Sequence, residues 1–189
     1  QQVADTVIKI FGEILTEKEE EDHSFSTYKR MDLEEVPTVL NRVEWRQQVP
    51  EVAAELLSHF ILAHPMPNTN HRTAIVLVDR YITSIDESFN MPDTGEENQW
   101  YSWAADFIHD SKRILTLRRN FRKLEWAHKF GYDAAQRKED DVQIDLNAID
   151  FDRSDYFDYY TERHLSRSRE FVDTILNEAD TTHLRDRED

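Results

Sequence analysis

The chain of 189 residues contains no cysteine, three glycines and five prolines. The lack of cysteine excludes disulfides, thiolate metal sites and a cysteine nucleophile. The scarcity of glycine disfavours a turn-rich all-β fold, and neither a dinucleotide-binding nor a P-loop glycine pattern occurs. No apolar run approaches the ~18 residues that span a bilayer, and no basic segment followed by an apolar stretch marks a signal peptide. The sequence therefore predicts a cytoplasmic protein with no membrane partner.

Positive charge is also scarce, because 23 Lys and Arg oppose 39 Asp and Glu for a formal net charge of −16. Only seven of the 23 are lysines. We interpret this solvated acidic surface as halophilic adaptation, with an ordinary acidic protein that has a basic partner as the alternative. Both interpretations disfavour nucleic acid as a partner, since phosphate binding needs a net basic face. The 39% hydrophobic content is enough for a folded domain.

Apolar residues recur at helical spacing along most of the chain, which predicts an all-α protein. The predicted helices cover residues 3–17, 49–63, 73–85, 99–129 and 155–179. We expect a break near Asn120 in the fourth helix and Ser154 as the N-cap of the last. Three tryptophans at helical positions are predicted to lie in the core: Trp100, Trp103 and Trp126.

Two stretches lack helical spacing. Alternating residues near 20–36 predict a small β-hairpin, and the Asp-rich residues 140–153 are predicted to form an extended acidic loop. The whole chain, residues 1–189, is expected to be a single domain with a core of about 1–130 and a helical extension of about 131–189.

A basic stretch stands out in this acidic chain. Six cations between residues 112 and 123 have no acid among them: Lys112, Arg113, Arg118, Arg119, Arg122 and Lys123. A docking face for an acidic partner and a nucleic-acid patch are the functional interpretations. A stripe that pairs internally with the acidic loop is the structural interpretation, which we favour.

The most informative segment, residues 62–76, lies between two predicted helices. Because a helix cannot run unbroken through Pro65 and Pro67, one helix must end near Ala63 and the next must begin near Asn70. The unpaired N–H groups and the positive dipole end of the second helix form a site for an anion.

Two side chains give this corner a chemical interpretation. Arg72, in the first turn of the second helix, adds a guanidinium suited to phosphate. His64, at the start of the loop, could take a proton from an attacking hydroxyl. The combination suits phosphoryl or nucleotidyl transfer, while an ordinary helix–loop–helix corner with asparagine caps is the alternative.

The order of residues 64–73, which reads His-Pro-Met-Pro-Asn-Thr-Asn-His-Arg-Thr, resembles the signature loop of the Fic/Doc family. That loop reads His-Pro-Phe, any residue, an acid, Gly, Asn, Gly, Arg in the Fic branch. The Doc (death-on-curing) branch ends in Ala-Asn-Lys-Arg-Thr-Ala, to which residues 69–74 are more similar. The resemblance implies a Fic-like helical bundle with the loop between two helices and a hairpin flap before it, for which residues 20–36 are the candidate.

The resemblance also implies an activity. Members are ATP-dependent transferases that use Mg²⁺ and adenylylate or phosphorylate a hydroxyl of a target protein, and some are toxins held by an antitoxin protein. His64 would be the general base that activates the hydroxyl. Asn70 and the backbone of Thr69 to Arg72 would hold the ATP phosphates, and Arg72 would pair with a phosphate oxygen.

Two positions depart from the family pattern. Asn68 stands where an acid binds Mg²⁺ and orients the phosphates, and a neutral amide oxygen is a weaker ligand for a hard cation. His71 replaces the Gly of the Fic branch and the Lys of the Doc branch, so the sequence leaves AMP and phosphate transfer both open. The alternative is a catalytically degenerate Fic-fold module that binds a nucleotide or a partner, and an unrelated helical adaptor is a third interpretation.

Overall fold

The computed structural model describes residues 2–20, 29–96, 99–137 and 142–187. The helices are α1 Gln2–Glu20, α2 Glu35–Asn41, α3 Val49–Ala63, α4 Asn70–Ile85, α5 Ser102–Lys129 and α6 Tyr156–Glu178. Antiparallel pairing joins β1 Gly95–Glu96 to β2 Gln99–Trp100 and β3 Ala134–Gln136 to β4 Gln143–Asp145, and a 3₁₀ turn covers Thr182–Asp186. The predicted all-α class is confirmed, whereas a Fic-like arrangement of the helices stays a prediction.

The chain divides into two compact units. The first contains residues 1–92 and 168–189, and the second contains residues 93–167. Helix α6 contributes its first half to the second unit and its second half to the first. The prediction of a single domain over residues 1–189 stays a prediction.

Helix α3 forms the interior of the first unit. Its buried residues lie on almost every side of the helix, as is typical of a central helix, and they include Val52, Leu56, Leu57, Phe60 and Ile61. Helix α4 packs against α3 and α1, and α2 packs against α3 and α1. The predicted helices 3–17, 49–63 and 73–85 are therefore confirmed, with α4 starting three residues earlier than its apolar pattern.

The end of the chain is attached to the same unit. The 3₁₀ turn packs against α3, and the N–H of Val49 donates to the carbonyl oxygen of Arg187 at 2.8 Å, which satisfies an N–H at the start of α3. Arg185 contacts Asp173 at 3.0 Å and Asn177 at 2.8 Å, both on α6. These contacts tie the C-terminal residues to the helices of the first unit.

The carboxylate of Asp86 makes a charged contact of its own at the end of α4. It accepts hydrogen bonds from Ser88 Oγ at 2.6 Å and Ser88 N at 2.9 Å, and it lies 2.7 Å from Nε2 of His183. The hydrogen bonds from Ser88, and then the contact with His183, hold the pKa of Asp86 well below its ordinary value of 3.8. The folded state therefore favours the charged carboxylate.

We expect the Asp86→Asn variant to be less stable than the wild type near pH 6 and to approach it in acid. Because the folded-state pKa is lowered, the stabilisation is complete above the ordinary carboxyl pKa and is lost as the pH falls below it. Urea unfolding midpoints at pH 6 and pH 2.5 measure the difference, with Glu87→Gln as the neighbouring control. A difference that stays constant over this range would contradict the prediction.

The second unit is built on α5 and the β3–β4 hairpin. Phe121 lies at the centre of its core and stacks on Tyr156 with ring centroids 4.2 Å apart and planes 4° apart. Ile144 and Leu146, on and just after β4, are buried in the same cluster. The predicted acidic loop 140–153 is therefore partly wrong, since its alternating apolar residues form one strand of a hairpin.

Two expectations about the helices differ from the structure, namely a break in α5 near Asn120 and an N-cap of α6 at Ser154. Helix α5 runs unbroken past Asn120. The side-chain amide of Asn120 donates to the carbonyl oxygen of Thr116, one turn earlier in the same helix, at 3.1 Å. Helix α6 begins at Tyr156, and the first turn is closed by the carbonyl oxygen of Asp155 rather than by an N-cap at Ser154.

Two further expectations concern the candidate flap and the tryptophans. Most of the predicted hairpin falls on residues 21–28, which lie outside the described residues, while residues 29–34 form no strand and α2 follows. The core assignment of Trp126 is wrong, because 62% of this residue is exposed. Trp103 is half buried. Within the described ranges, no helix is long and apolar enough to cross a membrane.

Candidate functional site

The loop between α3 and α4 covers residues 64–69, as the two prolines predict. It begins and ends in the left-handed region, with His64 at φ 56° and ψ 53° and Thr69 at φ 56° and ψ 22°. Among the described residues, Asp180 is the one other non-glycine residue with positive φ. Such backbone costs about 1 to 3 kcal/mol per residue and persists where the surroundings enforce it. The geometry of both loop ends is therefore held by other contacts.

The first of these contacts is the side chain of Asn70. Its Oδ1 accepts the N–H of Met66 at 2.9 Å, and its Nδ2 donates to the carbonyl oxygen of Met66 at 3.0 Å. Asn70 is 2% exposed and Met66 is fully buried. The amide thus closes the loop on itself, and the part of Asn70 that remains for a phosphate is its backbone N–H.

The second contact comes from the chain before α2. Lys29 Nζ donates to the carbonyl oxygen of His64, and the N–H of Asp32 donates to the carbonyl oxygen of Pro65 at 2.8 Å. This segment directly follows residues 21–28 of the candidate flap. It lies against the loop at the residue predicted to be the general base.

The start of α4 is the side of the loop that the sequence predicts to hold an anion. The first hydrogen bond along the helix runs from Thr73 N to the carbonyl oxygen of Thr69 at 2.9 Å. The N–H groups of Asn70, His71 and Arg72 precede that bond and point out of the end of the helix. Arg72 is half buried in this first turn. Backbone N–H groups, a positive dipole end and a guanidinium together can hold a phosphate.

The remaining predicted site residues differ in access. His64 is half buried, and its Nδ1 atom is buried. His71 is only 8% exposed, so its side chain lies largely in the interior rather than in a ligand site. The structure thus brings His64 and the α4 N-terminus to opposite ends of one loop.

Asn68 is half buried, and its Oδ1 accepts the N–H of Thr69 at 2.7 Å. One of the two lone pairs of the oxygen that a metal would need is therefore already used in holding the loop. Across the described part of the chain, no group of three or more His, Cys, Asp or Glu side chains could hold a metal ion. Asp79 is no substitute, since nine residues of helix put it ~14 Å along α4 from Asn70, and burial raises the pKa of its carboxyl.

The fold and this corner together define a mainly helical protein with a histidine-bearing loop that leads into the start of α4. The chain belongs to a family of unknown function (DUF8172), whose model matches residues 1–189. No curated protein and no solved structure matches it.

Proposed function

We propose that this protein is a Fic/Doc-like ATP-dependent transferase that moves either AMP or phosphate from ATP to a hydroxyl of a target protein. The observation that carries the proposal is the loop of residues 64–69, which presents a histidine at one end and a helix N-terminus with Arg72 at the other. A base and a phosphate cradle at fixed separation are what an in-line displacement at phosphorus requires.

The backbone of Thr69 supports the family resemblance independently of residue order. Thr69 is β-branched and adopts φ 56°, a conformation that is rare for such a residue. The Fic branch carries glycine at this position, and glycine adopts positive φ at no steric cost. The chain thus keeps the backbone geometry that the family's glycine would allow, although the glycine itself is absent.

In the proposed step the target hydroxyl attacks phosphorus and gives its proton to the imidazole of His64. For AMP transfer the attack is at the α-phosphorus and pyrophosphate leaves. For phosphate transfer it is at the γ-phosphorus and ADP leaves. The N–H groups at the start of α4 and the Arg72 guanidinium hold the negative charge of the phosphates throughout.

The Mg²⁺ that the resemblance implies does not fit the loop as it is folded. Asn68 supplies a neutral oxygen that already accepts a hydrogen bond, and Mg²⁺ is usually held through carboxylates together with substrate phosphates. The negative charge of the phosphates would therefore be balanced by the N-terminus of α4 and by Arg72.

The hydrogen bond that Asn68 accepts within the loop favours a second candidate, a Fic-fold module that binds a nucleotide without transferring any part of it. Holding the phosphates needs the N–H groups of α4 and Arg72, whereas turnover needs in addition that charge on the leaving group be neutralised. An engaged Asn68 weakens only the second requirement.

A labelling experiment tests both candidates. The full chain is incubated with ATP labelled at the α- or the γ-phosphate and a native protein extract, at low and high KCl and with or without Mg²⁺, while ATP binding is measured by calorimetry. Protein labelled from the α position indicates AMP transfer, and protein labelled from the γ position indicates phosphorylation. Bound ATP without label would favour the binding module, and no binding of ATP would overturn both candidates.

A further inference from the structure

One face of α5 combines exposed aromatic rings with positive charge. We call it the basic–aromatic face and define it by these residues: Arg119, Arg122, Lys123, Trp126, Lys129 and Phe130. At 100° per residue the six lie within an arc of about 120°, and they extend ~17 Å along the helix. The opposite side of α5 is buried in the core of the second unit through Leu117, Phe121 and Leu124. All six residues of the face are exposed.

The two rings of this face are among the most exposed large apolar side chains in the described residues. Trp126 is 62% and Phe130 is 75% exposed, and the rings stack on each other with centroids 5.9 Å apart. Tyr132, in the turn after α5, is 64% exposed. Contiguous exposed apolar surface is a mark of interaction sites, and Trp, Tyr and Arg dominate the binding energy of protein interfaces.

The charge of the face is opposite to that of the protein. Four cations lie on it in a chain whose net charge is −16. One acid, Glu125, lies at its edge and contacts Arg122 at 2.9 Å and Lys129 at 2.5 Å. With Arg119 left out of the count, Arg122, Lys123 and Lys129 still outnumber Glu125 on this face, so charge complementarity points to an acidic occupant.

We propose that the basic–aromatic face is a docking surface for an acidic segment of a partner protein, whose apolar side chains pack on Trp126 and Phe130. This inference does not depend on the proposed transferase, because the face is remote in sequence from residues 64–72 and uses none of them.

Two other occupants fit the observations less well. In a nucleic-acid site the rings would stack on bases, but here Trp126 and Phe130 already stack on each other. The acidic chain would also repel a polyanion, and this repulsion increases with the charge of the polyanion. In a symmetric dimer the same face would be opposite itself, which sets like charges against each other. An acidic peptide with apolar anchors avoids both costs.

Fluorescence anisotropy tests the proposal with the full chain and defined probes. The probe is a fluorescein-labelled 12-residue peptide with Glu and Leu at helical spacing. Its comparisons are the same peptide with Lys for Glu, the same peptide with Ser for Leu, and a labelled oligonucleotide of twelve thymidines. We expect the Glu/Leu peptide to bind at the basic–aromatic face and the Glu/Ser peptide to bind much more weakly. Any binding of the Lys/Leu peptide, which the acidic chain attracts elsewhere, is expected to be unaffected by substitutions on this face.

Variants locate the contact. The double variant Trp126→Ser and Phe130→Ser is expected to weaken binding of the Glu/Leu peptide at least ~30-fold, the size of a hot spot. The double variant Arg122→Glu and Lys123→Glu is expected to abolish it at low salt. The matched control, Tyr101→Ser with Arg42→Glu, changes an exposed aromatic and an exposed cation elsewhere and should leave binding unchanged.

Three results would overturn the proposal. The first is failure of the wild-type chain to bind the Glu/Leu peptide at millimolar concentration. The second is tighter binding of the oligonucleotide than of the peptide. The third is self-association of the wild type in sedimentation that the Trp126→Ser and Phe130→Ser variant removes, because the occupant would then be a second copy of the chain.

Discussion

The Asn70→Leu variant is expected to unfold with a free energy ~4 kcal/mol below that of the wild type. Leucine fills a similar volume but can neither accept from the N–H of Met66 nor donate to its carbonyl oxygen. Both groups would remain buried without these bonds, and each such group costs about 1 to 3 kcal/mol. Urea unfolding followed by circular dichroism measures the loss.

Asn68→Leu is the matched control for this prediction. The Asn68 side chain accepts the N–H of Thr69 and is half buried, whereas Asn70 is 2% exposed. Because a hydrogen bond at a partly solvated position contributes about 1 kcal/mol, Asn68→Leu is expected to lose less stability than Asn70→Leu. Equal losses in the two variants would contradict the assignment of Asn70 as the residue that closes the loop.

The bounds of the loop could be predicted because they depend on local chemistry. Pro65 and Pro67 exclude a continuous helix, and the apolar periodicity on either side is strong enough to fix α3 and α4. The role of the Asn70 side chain could not be predicted in the same way. It depends on a pair of hydrogen bonds across four residues, and an N-cap or a phosphate ligand would use the same residue type.

Trp126 shows where periodicity alone misleads. A tryptophan at a helical position is usually buried, but the buried side of α5 is set by Leu117, Phe121 and Leu124. Trp126 falls on the stripe of Arg122 and Lys123 instead. The sequence held this signal, since the cations and the two rings share one arc of the helix. The signal emerges only when the basic stretch and Trp126 are placed together on one helix.

In the β3–β4 hairpin, the acidic composition of the sequence concealed a strand pattern. Val142, Ile144 and Leu146 alternate with polar residues at the period of a strand, and all three are buried. The aspartates of the surrounding residues 140–153 favoured a loop by composition. Once Ile144 and Leu146 pack against α5, Gln143 and Asp145 face solvent and the stretch is an ordinary half-buried strand.

The replacement of His64 separates a chemical role from a structural one. On the proposed mechanism, His64→Asn is expected to lower label transfer from ATP by about 10²- to 10⁴-fold, because an amide cannot take the proton of the target hydroxyl. Asparagine is among the residues that adopt the left-handed region most readily, so it suits the φ of 56° at this position. Rates of transfer and urea unfolding of the same preparations measure the two effects.

Stability then discriminates between the two explanations of any loss. Asp32 and Lys29 donate to backbone carbonyl oxygens of the loop, and the side chain of Asn70 accepts the N–H of Met66. None of these three contacts involves the His64 side chain. The His64→Asn variant keeps these contacts and should therefore lose less stability than Asn70→Leu. A loss of transfer together with a loss of stability like that of Asn70→Leu would mean that the loop had collapsed. Full transfer by a stable variant would show that His64 is not the general base, because asparagine can adopt the same left-handed backbone but cannot take a proton.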